Sequence, residues 1–270
     1  MKPWRMVPSG PGVLELTWVD DDPWWRDPAA PAALAEDIKA ALAGGIHRVE
    51  AQARVTDREL RFTLQRAGLR PEGIARGRQT TADGERVDVT RLARVKGDPA
   101  LGTHEAFLAM LNATLPTKRV IAQGLIRNEA GEILMCQLTY KKEWDLPGGV
   151  VDPLESPAGA LTREIYEELG AKLHPGPLLA IDWLPPYRQW DDAVLLVFDL
   201  SCHPELPAIA TLQPNEIAAL HWCTPADIEQ HAAPYVARLL SQIAGSQAAG
   251  SHGPGESAYL EDGLPYDFQR

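Results

Sequence analysis

What this chain has little of narrows the possibilities first. Its three cysteines, Cys136, Cys202 and Cys223, lie far apart and form no Cys-x-x-Cys pair. That pattern argues for reduced, mostly buried thiols and against a disulfide frame or a cysteine zinc site. No apolar run approaches the roughly 20 residues that span a bilayer. The opening Met1-Lys-Pro-Trp-Arg-Met-Val-Pro-Ser-Gly also lacks an apolar signal core, so a cytoplasmic location is expected. Positive charge is short as well. A net charge of −11 and a pI near 5.1 repel phosphate backbones and anionic lipid, so neither nucleic acid nor membrane is an expected partner. A small phosphorylated ligand stays compatible with this charge, because a cation can bridge two negative partners.

At 270 residues the chain has room for two domains, each with its own core. The most informative stretch runs from Trp144-Asp-Leu-Pro-Gly148-Gly149 to Gly170-Ala171. Ser156 suits a helix N-cap, Pro157 the first helical position and Gly170 the left-handed position past the end, which predicts a helix over 157–169. Leu161, Ile165 and Leu169 recur every four residues as a buried stripe. Glu164, Glu167 and Glu168 then crowd beside that stripe. Three carboxylates this close repel one another and raise their own proton affinity, unless a hard divalent cation sits among them. A solvated acidic helix face is the plain reading of three glutamates alone.

Here the glutamates come with a Gly-Gly turn, with Glu155 ahead of the helix and with Arg163 inside it. The combination resembles the Nudix box: Gly, five residues, Glu, seven residues, Arg-Glu, an aliphatic residue, any residue, Glu-Glu, any residue, Gly and an aliphatic residue. All fixed positions match, and Ala171 is a small version of the closing aliphatic residue. The resemblance implies a metal-dependent pyrophosphohydrolase cleaving a phosphoanhydride bond in a nucleoside diphosphate linked to another moiety. It implies that Glu164, Glu167 and Glu168 hold Mg²⁺ or Mn²⁺ together with the main-chain carbonyl of Gly148. Arg163 is then expected to orient a glutamate, and Glu155 to fix the loop.

Around the box, Val120–Ile126 and Ile133–Thr139 read as strands joined by a turn at 128–131, and 178–184 and 193–200 as two further strands. A closing strand follows Pro214-Asn-Glu216, and a last helix spans Pro225 to about Ile243. Trp144 stands either for substrate stacking or for packing beneath the loop. Tyr187, Arg188 and Trp190 are expected at the leaving side of the substrate, and Glu216 as a candidate further ligand or base. Pro186 resembles the ADP-ribose hydrolases of the superfamily and Tyr187 the dinucleoside polyphosphate hydrolases, which leaves that choice open.

Upstream, residues 13–19, 47–55 and 84–95 read as strands, and 31–43 and 57–67 as helices. His47-Arg-Val-Glu, Asp57 to Gly73 and Arg86 to Arg94 resemble the C-terminal half of a GNAT-type acetyltransferase, over roughly residues 13–96. The family's Gly-rich coenzyme A loop is replaced by Trp24-Trp-Arg-Asp-Pro28-Ala-Ala-Pro31, whose prolines remove amide donors. A reduced, non-catalytic relative is expected, serving substrate capping, homodimer formation or partner binding. The expected fold is α/β: a partial GNAT-like domain over 1–97, a linker and connecting helix over 98–117, a Nudix α/β/α sandwich over 118–243 and a flexible tail over 244–270. Acetyl transfer by the front half, or ligand sensing without turnover in a Nudix-type pocket, are the alternatives.

Overall fold

In a computed structural model, which describes residues 2–19, 23–249 and 257–267, the chain divides into units Met1–Pro116 and Thr117–Arg270. The first unit opens with a hairpin of β1 (Trp4–Gly10) and β2 (Val13–Trp18). Helix α1 (Ala30–Ala43) leads to β3 (Arg48–Arg54), and α2 (Arg58–Arg66) to β4 (Arg70–Thr80) and β5 (Arg86–Val95). The strand order is β1-β2-β3-β5-β4, with β2 and β3 parallel. Val49, Ala51 and Ala53 alternate inward along β3 beneath Leu34 and Ile38 of α1 and Leu60 and Leu64 of α2. Trp24 packs among Trp4, Trp18 and Trp25 at the same core.

Two of these strands, β1 and β4, escape the sequence pattern. Pro8, Pro71, Gly73 and Gly77 make them read as loops, and such residues are tolerated because both strands are sheet edges. Helix α3 (His104–Thr114), capped by the Thr103 hydroxyl, packs on β4 and so belongs to the first unit rather than to a linker.

The second unit is a sheet covered on both faces. Its strands are β6 (Arg119–Arg127), β7 (Ile133–Leu138), β8 (Gly148–Val150), β9 (Leu178–Leu184), β10 (Ala193–Cys202), β11 (Ile217–Cys223), β12 (Ala258–Glu261) and β13 (Leu264–Pro265). Its helices are α4 (Pro157–Leu169), the short α5 (Leu206–Ile209), α6 (Pro225–His231) and α7 (Pro234–Ala249). The order is β11-β7-β6-β10-β9-β12-β13, with β8 paired to β6. Leu161, Ile165 and Leu169 of α4 bury against Ala122, Ile126, Leu134 and Cys136. On the other face Ile228, Val236, Leu239, Leu240 and Ile243 of α6 and α7 cover Leu125, Met135, Leu195 and Val197. All three cysteines are free; Cys136 and Cys223 are buried and Cys202 is exposed.

Two expectations need correction here. The single last helix is two helices, because Pro234 cannot continue the hydrogen-bond ladder of α6. The tail carries regular structure where it is described: α7 runs on to Ala249, and Ala258–Glu261 adds a strand parallel to β9 that buries Ala258 and Leu260. The rest of that expectation, at 250–256 and 268–270, lies outside the described residues. Asp262 and Gly263 turn β12 into β13 with φ of 55° and 73°, the two positive φ values of a type I′ turn. The Asp-Gly pair is the readable signal for it.

That turn sits on Asp182, a fully buried carboxylate of β9 whose two oxygens accept from the Gly263 amide at 3.1 and 3.0 Å. Burial pushes its pKa up to about 6, against which the Gly263 bond works only partly. A folded-state value above the unfolded one means that the stabilisation is present below about pH 4 and is lost as pH rises through 6. Asp182→Asn keeps the acceptor and removes the titration. Denaturant unfolding is expected to show the variant gaining about 2–3 kcal/mol on the wild type between pH 4 and pH 7.

Candidate active site

The segment Trp144–Val150 is knitted into the sheet between β6 and β7. Cys136 and Asp145 exchange both main-chain bonds, at 2.8 and 3.0 Å, and Gly124 donates to the Pro147 carbonyl at 2.9 Å. Gly148, Gly149 and Val150 then lie in register with Gln123, Ala122 and Ile121. The two glycines follow from this placement. Gly148 has φ 127°, and a Cβ there would collide with the Ala122 carbonyl; at Gly149 it would meet the Glu164 carboxylate at 2.6 Å.

Opposite these glycines stands α4. Its cap is built as the sequence predicts: the Ser156 hydroxyl accepts from the Gly159 amide, and Gly170 closes the helix at φ 68°. Glu168 is 6% exposed and accepts from the Gly148 amide at 2.9 Å. Burial raises its pKa to about 8 against that bond, with the charges of Glu164, Glu216 and Asp145 adding to the rise. Glu164 is also shifted upward, by burial first. Glu167 is exposed.

Arg163 lies at the centre of the acidic ring. It donates two bonds to Glu155, both at 3.0 Å, one to Glu164 at 2.9 Å and one to Glu167 at 3.1 Å. These carboxylates hold its pKa above the ordinary arginine value. Glu155 also accepts from the Asp152 amide, so it fixes the loop ahead of the helix. Arg163 occupies Glu164 and Glu167, and among the described residues no three acidic, histidine or cysteine side chains close around one point.

The donor set is nevertheless oxygen only. Glu168 is a carboxyl group held out of water, its charged form disfavoured by burial and then by neighbouring charge and answered by a single amide. Residues 117–270 carry the whole net charge of −11, since residues 1–116 hold as many cations as anions. These features fit a hard divalent cation.

Other expected site residues fall in different places. Glu216 is exposed just before β11, and its charge reaches Glu164 and Glu168. Trp144 offers no free face: His221 stacks on one side at 4.0 Å and 6°, and His231 on the other at 4.1 Å and 10°. Its role is to lock the loop. Tyr187, Arg188 and Trp190 form the exposed tip of the β9–β10 hairpin, where Tyr187 and Trp190 are bridged, Arg188 covers the Tyr187 ring and Arg119 the Trp190 ring. Among the described residues no recorded bond or ring contact joins this tip to the glutamates. Sequence reasoning missed Gln123, which holds one oxygen of Asp145 while Lys141 holds the other.

Residues 117–242 match the NUDIX domain family model. A MutT-like protein of Streptomyces ambofaciens is 30% identical over 139 residues, which are 51% of this chain and 82% of that protein. Diphosphoinositol polyphosphate phosphohydrolase 2 of Rattus norvegicus is 47% identical over 49 residues, 18% of this chain, and the match spans only 27% of that protein. The crystal structure of a MutT protein from Methanosarcina mazei Go1 aligns with a TM-score of 0.43 at 25% identity, over 50% of this chain and 99% of that one.

The two glycines separate fold from site. Gly148→Ala meets main chain at a left-handed φ and is expected to cost about 3 kcal/mol or more in urea unfolding. Gly149→Ala meets only the end of a side chain and is expected to stay within about 1–2 kcal/mol of the wild type while displacing Glu164.

Proposed function

The chain belongs to the NUDIX family and is a hydrolase of pyrophosphate bonds, and we propose that it cleaves a phosphoanhydride in a nucleoside diphosphate linked to another moiety. The observation that carries this reading is the buried, charge-burdened Glu168 tied to the Gly148 amide beside Glu164. Glu164, Glu167, Glu168 and the carbonyl of Gly148 are the residues that would hold Mg²⁺ or Mn²⁺. When bound, such a cation supplies charge neutralisation at the phosphates and lowers the pKa of attacking water.

The chain's own residues do the rest. The Gly148 amide orients Glu168. Arg163 keeps Glu155, Glu164 and Glu167 apart and in place, so it is a positioning residue. Glu216 adds negative charge at the rim. Tyr187, Arg188 and Trp190 remain the proposed contacts to the leaving side; their exposure on a hairpin tip supports that reading.

For residues 13–96 we keep the reduced GNAT-like reading. It is supported by Leu69-Arg-Pro-Glu-Gly73 standing at the entry of β4, as the resemblance implies. A non-catalytic role is supported by Pro31 in the first turn of α1, which removes an amide donor that an anion cradle would use.

The test is release of phosphate or pyrophosphate from nucleotide-sugars, dinucleotides, ADP-ribose and nucleoside triphosphates with Mg²⁺ or Mn²⁺, and with EDTA as control. Glu168→Gln is expected to lower turnover roughly a thousandfold or more. Its unfolding midpoint at pH 8 should be no lower than that of the wild type, because the amide carries no buried charge. A variant retaining turnover would remove Glu168 from the reaction.

A further inference from the structure

Gln123 is a polar side chain in an apolar row. Along β6, Ala122 and Ile126 face α4, whereas Ile121 and Leu125 face α6 and α7. By strand alternation Gln123 shares the second face. It is 5% exposed, and its amide is oriented by chemistry alone. The nitrogen donates to the Asp145 carboxylate at 3.0 Å and to the Leu146 carbonyl at 3.3 Å. Both partners are pure acceptors, so exchanging nitrogen and oxygen would set oxygen against oxygen.

Asp145 is itself held, accepting from the Leu146 amide at 2.9 Å and pairing with Lys141. The network therefore leaves one buried group without an internal partner. The Oε1 of Gln123 is buried and has no hydrogen bond among the described residues. An unpaired buried carbonyl costs about 1–3 kcal/mol.

Its position gives the orphan a use. Gln123 is the register partner of Gly148, whose amide holds Glu168. Paired strands lie about 5 Å apart, so the main chain of Gln123 runs one strand spacing from the Gly148 main chain, while its side chain leaves β6 on the face away from α4. A nucleoside diphosphate derivative extends well beyond that distance. Lys141, whose side chain is 31% exposed, is the member of the network that meets solvent.

We propose that Gln123 is a specificity-determining residue whose Oε1 accepts a hydrogen bond from an N–H or O–H donor on the organic part of the substrate, with Asp145 and Leu146 fixing the amide for that purpose. This rests on the hydrolase reading above. Recognition of this kind discriminates strongly, because a substrate lacking the donor leaves the buried acceptor unpaired.

The experiment compares kcat/KM for matched nucleotides that differ by one donor: GTP with ITP, which lacks the exocyclic amine; UTP with 3-methyl-UTP, which lacks the imide N–H; and ATP with dATP, which lacks the 2′-hydroxyl. The first two pairs place the donor on the base and the third on the sugar. The wild type is expected to prefer the donor-bearing member of one pair by about tenfold to a hundredfold. Gln123→Met, similar in length and without polar atoms, should erase that preference through a raised KM. Its thermal midpoint is expected to fall by several degrees, since the buried Asp145 carboxylate and Leu146 carbonyl lose a donor, and the comparison is made well below that midpoint. Turnover without discrimination in any pair by the wild type, or an unchanged preference in Gln123→Met, would overturn the role of Gln123 and leave the hydrolase reading standing. Absence of metal-dependent turnover of every nucleotide by the wild type would overturn the hydrolase reading and this inference together.

Discussion

A carboxylate kept out of water beside a main-chain amide is the constraint on which the second unit depends. Glu168 can reach the Gly148 amide only because that glycine lies flat against β6, and it lies there only because Trp144–Val150 is hydrogen-bonded between β6 and β7. The apolar stripe of α4 sets the helix on the same sheet, and the helix then presents the glutamates to the glycines. Burial makes the charged form of Glu168 unfavourable. Arg163 is the counterweight: its planar fork holds three glutamates that would otherwise repel one another.

The same loop is secured from its outer side. Trp144 lies between two imidazoles, His221 from β11 and His231 from α6, and its amide donates to the His231 carbonyl. One residue further, Asp145 ties the loop to Gln123 and Lys141. Elements far apart in sequence thus converge on a span of seven residues. The distribution of charge follows the same division of labour. The first unit is neutral by count, whereas the second carries the entire excess of acid.

The first unit shows how far a resemblance reaches. Its helices and inner strands lie close to where periodicity puts them, because Val49, Ala51 and Ala53, or Leu60 and Leu64, must face one core. Its outer strands were illegible, because an edge strand carries proline and glycine at little cost. The C-terminal hairpin was hidden for another reason. Eleven residues of mixed polarity look like tail until β9 offers an unpaired edge and Asp182 an acceptor for the turn.

By itself the sequence determined the α4 helix, its caps, its buried stripe and the reaction class, since each rests on residues within one turn or one loop of each other. Spacing alone could place Glu164, Glu167 and Glu168 on one helix face. It could not tell which of them would be buried, because burial depends on which strand lies opposite. Only the tertiary structure decided that Glu168 meets Gly148, that Trp144 has no face to offer a ligand, and that Gln123 ends a network with an unpaired oxygen. Those outcomes depend on pairing between residues 20 to almost 90 positions apart, and local pattern carries no information on such pairing.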